Sequence, residues 1–223
     1  MIRAILFDVD GTLVDSNDAH ARAWVEAFAD SGVAVDFTAV RRSIGMGGDK
    51  LMPAVSGIDE QSDIGQRIST RRGEIFKARY LLSLKAFAGA ADLVSAVKAG
   101  GRSVVAASSA QEDELHALLE IAGARDLMDS ATSSDDAEES KPEPDIIHAA
   151  LRRAHASPGE ALLIGDTPYD IEAAAKADVA TIAFRCGGWN DADLKGAIAI
   201  YDGPWDLLAA LDASPLGVRR RTG

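Results

Sequence analysis

Five short runs in this chain are apolar at almost every position: AILF (Ala4–Phe7), SVVAA (Ser103–Ala107), ALLIG (Ala161–Gly165), ATIAF (Ala180–Phe184) and AIAIY (Ala197–Tyr201). A strand with one wet face alternates apolar and polar residues, so runs apolar throughout belong to strands covered on both faces. LMDSATS (Leu127–Ser133) is a weaker candidate for another strand. Between the runs lie helical patterns, ADLVSAVKAG, QEDELHALLEIAG and PDIIHAALRRAHA, the first two closed by glycine as helices often are. The alternation predicts an α/β fold, a doubly wound and mainly parallel sheet. Ligands of such a sheet sit outside the carboxyl ends of the strands, near the switch point.

One segment departs from the alternation. From about Asn17 to Lys85 the periodicity is helical and no strand pattern is convincing. His20, Trp24 and Phe28 recur at i, i+4 and i+8, one face of a helix. IGMGGDK (Ile44–Lys50) reads as a turn between helices, and GQRISTRRGEIFKARYLLSLK as a long amphipathic stretch. Inserted directly after the first strand, residues 17–85 predict a small all-helical cap domain on a core made of 1–16 and 86–223. The two crossings are expected near Asp15–Asn17 and Lys85–Phe87. Charge divides the same way: 17–85 holds ten Lys/Arg against nine Asp/Glu, the remainder 13 against 26. Arg41–Arg42 and Arg71–Arg72, in a near-neutral cap over an acidic core, are expected either to help hold an anionic substrate or to be solvated helix faces.

The net charge of −12 argues against nucleic acid and anionic membrane as main partners, since both require basic surface. No apolar run approaches the roughly 18 residues of a membrane span. The single cysteine, Cys186, excludes an internal disulfide framework and reads as structural. With no signal-peptide pattern before the first strand, the expectation is a cytoplasmic protein. RRRTG at the end reads as a frayed tail. Oligomeric state is not readable.

Four motifs fall at or just past strand ends: DVDGT (Asp8–Thr12), the pair Ser108–Ser109, SKPEPD with Lys141, and GDTPYD (Gly165–Asp170). In a doubly wound sheet they would converge on one crevice. Strand alternation would point Asp8 and Asp10 the same way, where their repulsion requires a proton or a cation. Hard oxygen donors in a small cluster favour Mg²⁺ over zinc. Lys141, the serine hydroxyls and loop amides near Gly11 and Ser109 can hold phosphate oxygens. Metal, carboxylate nucleophile and phosphate cradle together suit phosphoryl transfer through an aspartyl-phosphate.

On these residues the chain resembles the haloacid dehalogenase-like hydrolases: DxDGT, Ser108, Lys141 in KP, and GDTxxD, in order. DVDGTLVDS followed by His20 and Trp24 is similar to the helical-cap subgroup of phosphoglycolate phosphatases and β-phosphoglucomutases. The resemblance implies a Rossmann-like core and a Mg²⁺-dependent phosphatase acting on a small phosphorylated metabolite. By the same likeness Asp8 attacks phosphorus, and Asp10 is the general acid/base, a task suited to a raised pKa. The Asp8 carboxylate, the Asp10 backbone carbonyl, Asp166 and Asp170 bind Mg²⁺. Ser108 and Lys141 hold the phosphoryl group. Gly11, Thr12, Ser109 and His20 belong to the phosphate and substrate surroundings, His20 having a plain packing role at the cap boundary as its alternative. The cap turn around GMGG (Gly45–Gly48) is expected over the site. Asp10 disfavours dehalogenase and phosphonatase chemistry. Ser16 and GDT lean from the phosphomutase towards the hydrolase, and a non-enzymatic phospho-acceptor has no need of Asp10 or of a helical insertion.

Overall fold

The computed structural model describes residues 1–217. RRRTG therefore lies outside the described residues. In chain order the elements are β1 (Ala4–Phe7), α1 (Asn17–Asp30), α2 (Phe37–Ser43), α3 (Gly48–Ser56), α4 (Asp63–Ile75), α5 (Ala90–Ala99), β2 (Ser103–Ala107), α6 (Glu112–Ile121) and β3 (Ser130–Thr132). They continue with α7 (Asp145–Ala154), β4 (Ala161–Gly165), α8 (Pro168–Lys176), β5 (Ala180–Phe184), β6 (Ala199–Tyr201) and α9 (Pro204–Ala209). The six strands form one parallel sheet in the order β3-β2-β1-β4-β5-β6.

β1 shows why its sequence has no polar face. Ile5 and Phe7 enter one apolar layer with Leu93, Val97, Leu115 and Leu207 of α5, α6 and α9. Ala4 and Leu6 enter the other, with Ile147 and Ala150 of α7 and Ala173 and Ala174 of α8. All four β1 side chains are fully buried, the condition under which alternation disappears from a strand. At the edge the sequence overreaches. Ile198 is 52% exposed and the last strand begins at Ala199, not Ala197. The weak candidate at 127–133 contributes only Ser130–Thr132, after a single 3₁₀ turn at Arg125–Leu127.

Residues 17–85 contain α1 to α4, then a π turn (Phe76–Tyr80) and a 3₁₀ turn (Leu81–Ser83). His20, Trp24 and Phe28 are all buried, the Trp24 and Phe28 rings 5.9 Å apart. Around them pack Val40, Leu51, Met52, Ile68 and Phe76. The chain leaves and re-enters the sheet region through two adjacent segments. Asp15 N donates to Lys85 O (3.0 Å), Phe87 N donates to Leu13 O (2.9 Å), and Val14 bridges Ala86 antiparallel. No helix among the described residues is long and apolar enough to cross a membrane.

Candidate active site

β1 stops at Phe7, and Asp8 N makes one last sheet-like bond to Ile164 O (2.9 Å). The turn that follows depends on Gly11, at φ +74°. A Cβ there would lie 2.1 Å from Asn17 Nδ2 and 2.3 Å from Asp166 Oδ2, so only glycine fits. Asp8 and Asp10 thus lie beyond the strand rather than in it. They line one cavity, but not by strand alternation, and their partners differ.

Asp8 is 6% exposed. Its Oδ1 accepts from Lys141 Nζ (2.7 Å), and its Oδ2 lies 3.1 Å from the Thr12 hydroxyl. Lys141, itself buried, also reaches Asp170 Oδ1 (2.7 Å) and donates to Ala107 O (3.0 Å). Asp166 Oδ1 is 3.1 Å from the same Thr12 hydroxyl, and its Oδ2 accepts from Asn17 Nδ2 (2.9 Å). Asp170 is held by its own helix start. Thr167 N and Oγ1 donate to Asp170 Oδ2 at 3.0 and 2.7 Å while Thr167 Oγ1 accepts from Asp170 N, a capping box at the mouth of α8.

Oxygens of Asp8, Asp166 and Asp170 lie within 4.8 Å of one another. Lys141 is bonded to two of these buried carboxylates, Asp8 and Asp170, so the trio carries more negative charge than its lysine offsets. Burial, with repulsion from Asp170 and Asp10, lifts Asp8 to about 7 against the pull of Lys141. Burial, with repulsion from Asp8 and Asp170, raises Asp166 well above the usual carboxylate range. Lys141 stays charged: burial alone would lower its pKa, but Asp170 and Asp8 more than offset that. An all-oxygen donor set with surplus negative charge fits a hard divalent cation. The Asp10 carboxylate is not part of this trio.

Asp10 turns instead to the residues after the turn. Its Oδ1 accepts from Ser16 Oγ and lies 2.8 Å from His20 Nε2. The His20 ring stacks on Phe76 at 4.0 Å and places Nδ1 3.9 Å from Glu114 Oε1. Packing and contact with a site acid are therefore both roles of His20. The sequence expectation of a raised pKa for Asp10 does not hold here. Burial pushes it up, but His20, Ser16 and Arg72 together hold it below the ordinary value.

Other expectations meet different partners. The amides of Gly11 and Thr12 donate to Val14 O and Val9 O, closing the turn, and the Thr12 hydroxyl faces the two aspartates. Both residues shape the acidic cluster and present no free amide to a phosphate. Ser108 Oγ, buried, accepts from Ala110 N (3.1 Å). Ser109 lines the cavity, while its Oγ is buried without a partner. The turn at Ile44–Gly48 does line that cavity, with Trp24 and Arg72. The basic pairs do not wait for an anion. Arg41 holds Asp18 and Gly187 O, Arg42 holds Asp193 and stacks over Trp189, and Arg71 holds Asp30 and Glu74. Arg72 NH1 donates to both oxygens of Glu114 at 3.0 Å.

Three contributors were not visible in the sequence: Asn17, Glu114 and the Gly187 backbone. A Cβ on Gly187 would fall 1.7 Å from Asp166 Oδ2, and the Gly187 carbonyl accepts from Asn17 and Arg41. Only the glycine pair at 187–188 after a buried strand marks the place in the sequence, and it names no partner.

Charge gathered at the switch point of a doubly wound sheet, with strongly displaced pKa values, is the architecture of an enzyme. The chain belongs to the haloacid dehalogenase-like hydrolase family, whose profile matches residues 5–184. It is 30% identical to phosphoglycolate phosphatase from Rhodospirillum rubrum over 211 residues, 91% of this chain and 88% of that protein. It is 32% identical over 188 residues to the chloroplastic protein SUPPRESSOR OF QUENCHING 1 of Arabidopsis thaliana. That match takes in 82% of this chain but spans only 18% of the longer protein. The crystal structure of a hydrolase from Pseudomonas syringae superimposes with a TM-score of 0.89 at 27% identity, covering 95% of this chain and 98% of that one.

Proposed function

We propose that this protein is a Mg²⁺-dependent phosphatase of small phosphorylated metabolites, working through an aspartyl-phosphate at Asp8. The observation that carries the reading is the juxtaposition of the Asp8–Asp166–Asp170 trio around Lys141 with the Asp10–His20 pair across one small cavity. Asp8, Asp166 and Asp170 would hold the metal, joined by the Asp10 backbone carbonyl. The metal would supply charge neutralisation at the transferred phosphoryl group.

An Asp8 oxygen attacks phosphorus in line with the ester oxygen. As the P–O ester bond breaks, Asp10 passes a proton to the departing alkoxide, a role that requires the bound phosphate's negative charge to lift its carboxyl from the low value that His20, Ser16 and Arg72 impose. Asp10 Oδ1 is tied to Ser16 and His20, so Oδ2 is the oxygen left for that proton. Water then attacks the acyl phosphate, Asp10 takes the proton back, and inorganic phosphate leaves with the Asp8 carboxylate restored. Lys141, pinned between Asp8 and Asp170, keeps the nucleophile oriented and its charge offset. Ser108 and Ser109 border the phosphoryl position. Residues 17–85 act as a cap that closes the cavity against water. The single cysteine and the acidic composition suit a cytoplasmic enzyme.

The test is release of inorganic phosphate from p-nitrophenyl phosphate with Mg²⁺. Chelator should abolish it, and Asp8→Asn should lower it by on the order of 10³-fold or more with an unchanged circular dichroism spectrum. Undiminished turnover by the folded Asn variant would overturn the mechanism. Conversion of β-glucose 1-phosphate to the 6-phosphate, dependent on a bisphosphate, would assign the phosphomutase activity instead.

A further inference from the structure

The cavity over Asp8 and Asp10 is small, about 70 Å³. It shares Gly47, Gly48, Arg72 and Ser109 with a wider cavity of about 400 Å³ between cap and core, where the rest of a phosphate ester would lie. The charge of this outer chamber is one-sided. Asp49, Glu60, Asp135 and Glu138 line it, and its only basic lining residue is Arg72. Arg72 is already paired, its NH1 donating to both oxygens of buried Glu114. Lys50, in α3, points at Glu139, lies 3.8 Å from Asp49 Oδ2 and does not line the chamber.

Among the described residues Arg72 is the one Lys or Arg lining either cavity, while Lys141 lies beneath the phosphoryl end, bonded to Asp8 and Asp170. An ester with a second phosphate or a carboxylate on its leaving group would place that anion among four carboxylates, with no unpaired cation to receive it. Hydroxyl groups meet the opposite situation. They donate to carboxylates and accept from the amide of Gln61. Glu60 stands at the junction: its Oε1 accepts from Ser69 Oγ (2.9 Å) and lies 2.5 Å from where a Gly48 Cβ would be.

We infer that the substrate is a monophosphate ester with a neutral, hydroxyl-rich leaving group, a polyol or sugar, and that Glu60 and its neighbouring carboxylates discriminate against leaving groups carrying a second anion. This rests on the phosphatase reading above.

The experiment compares kcat/KM of the Mg²⁺-loaded enzyme on fructose 1-phosphate, sorbitol 6-phosphate, fructose 1,6-bisphosphate, phosphoglycolate and phosphoethanolamine, with p-nitrophenyl phosphate as the generic ester. The polyol and sugar monophosphates should exceed the bisphosphate and the carboxylate ester by about tenfold or more. Glu60→Lys should narrow or reverse that gap by improving the bisphosphate, and Glu60→Gln should move it part of the way. Equal or better turnover of phosphoglycolate or of the bisphosphate by the wild-type enzyme overturns the inference while leaving the phosphatase reading intact. So does a preference for phosphoethanolamine, which would assign the carboxylates to a cation. No release from any ester, p-nitrophenyl phosphate included, would sink the phosphatase reading itself.

Discussion

Lys141 is a fully buried cation held by two buried carboxylates, and removing it leaves three acids facing one another. Lys141→Ala is expected to cost about 3–5 kcal/mol in urea denaturation of the metal-free protein, the range for breaking a buried pair from one side. The opposite imbalance governs Asp8. Its native pKa of about 7 lies above the ordinary 3.8, so the folded state binds the proton more tightly than the unfolded chain. The stability this contributes is complete below about pH 4 and is lost as pH rises through about 7. Raised Asp166 acts in the same direction. Melting temperatures of metal-free protein should therefore fall across that window, and saturating Mg²⁺ should flatten the profile. A metal-free profile that rises over the same range would contradict it. The acids were legible in the sequence because each sits in a short motif just past a strand, and Lys141 because it stands in SKPEPD ahead of α7. Asn17 and Glu114 were not. The partner of Asn17, Asp166, lies 149 residues away, and that of Glu114, Arg72, lies 42 away. No local pattern records either pairing.

α8 shows one helix start doing two jobs. Thr167 and Asp170 close a capping box, and the same Asp170 faces Lys141 and the candidate metal position. Thr167→Ala is expected to cost about 1–2 kcal/mol of stability, measured by thermal unfolding, through the lost cap. It should also weaken Mg²⁺ binding in calorimetry, because Asp170 loses the donor that orients it. A change in stability with unaltered metal affinity would separate the two roles. β1 makes the converse point. Its apolar run correctly announced a strand covered on both faces, but the strand ends at Phe7, so Asp8 and Asp10 reach one cavity through the turn rather than by strand alternation. Gly11 then reverses the chain, and the turn rather than the pleat decides that Asp8 meets Lys141 while Asp10 meets His20.

Across the whole molecule, residues 17–85 touch the core through side chains that reach over a cleft: Arg42 to Asp193, Lys50 to Glu139, Lys77 to Asp113 and Arg72 to Glu114. Three of these pairs are substantially exposed, and pairs of that kind contribute little each, so the expected motion is a closure of residues 17–85 about the crossings at Asp15 and Lys85. Spin-label distances between α3 and α7 should shorten or narrow in distribution when Mg²⁺ and a phosphate analogue are added. Unchanged distances would mean a cap already locked. Hydrophobic period, turn residues and motif order are properties of neighbouring residues, so the sequence by itself determined the doubly wound sheet, the helical insertion and the carboxylates and lysine of the crevice. Which acid meets which cation is a property of distance between segments far apart in the chain. Only the tertiary structure decided that Arg41, Arg42, Arg71 and Arg72 are already paired, that Asp10 is held low by His20, and that the chamber beyond it is lined by carboxylates.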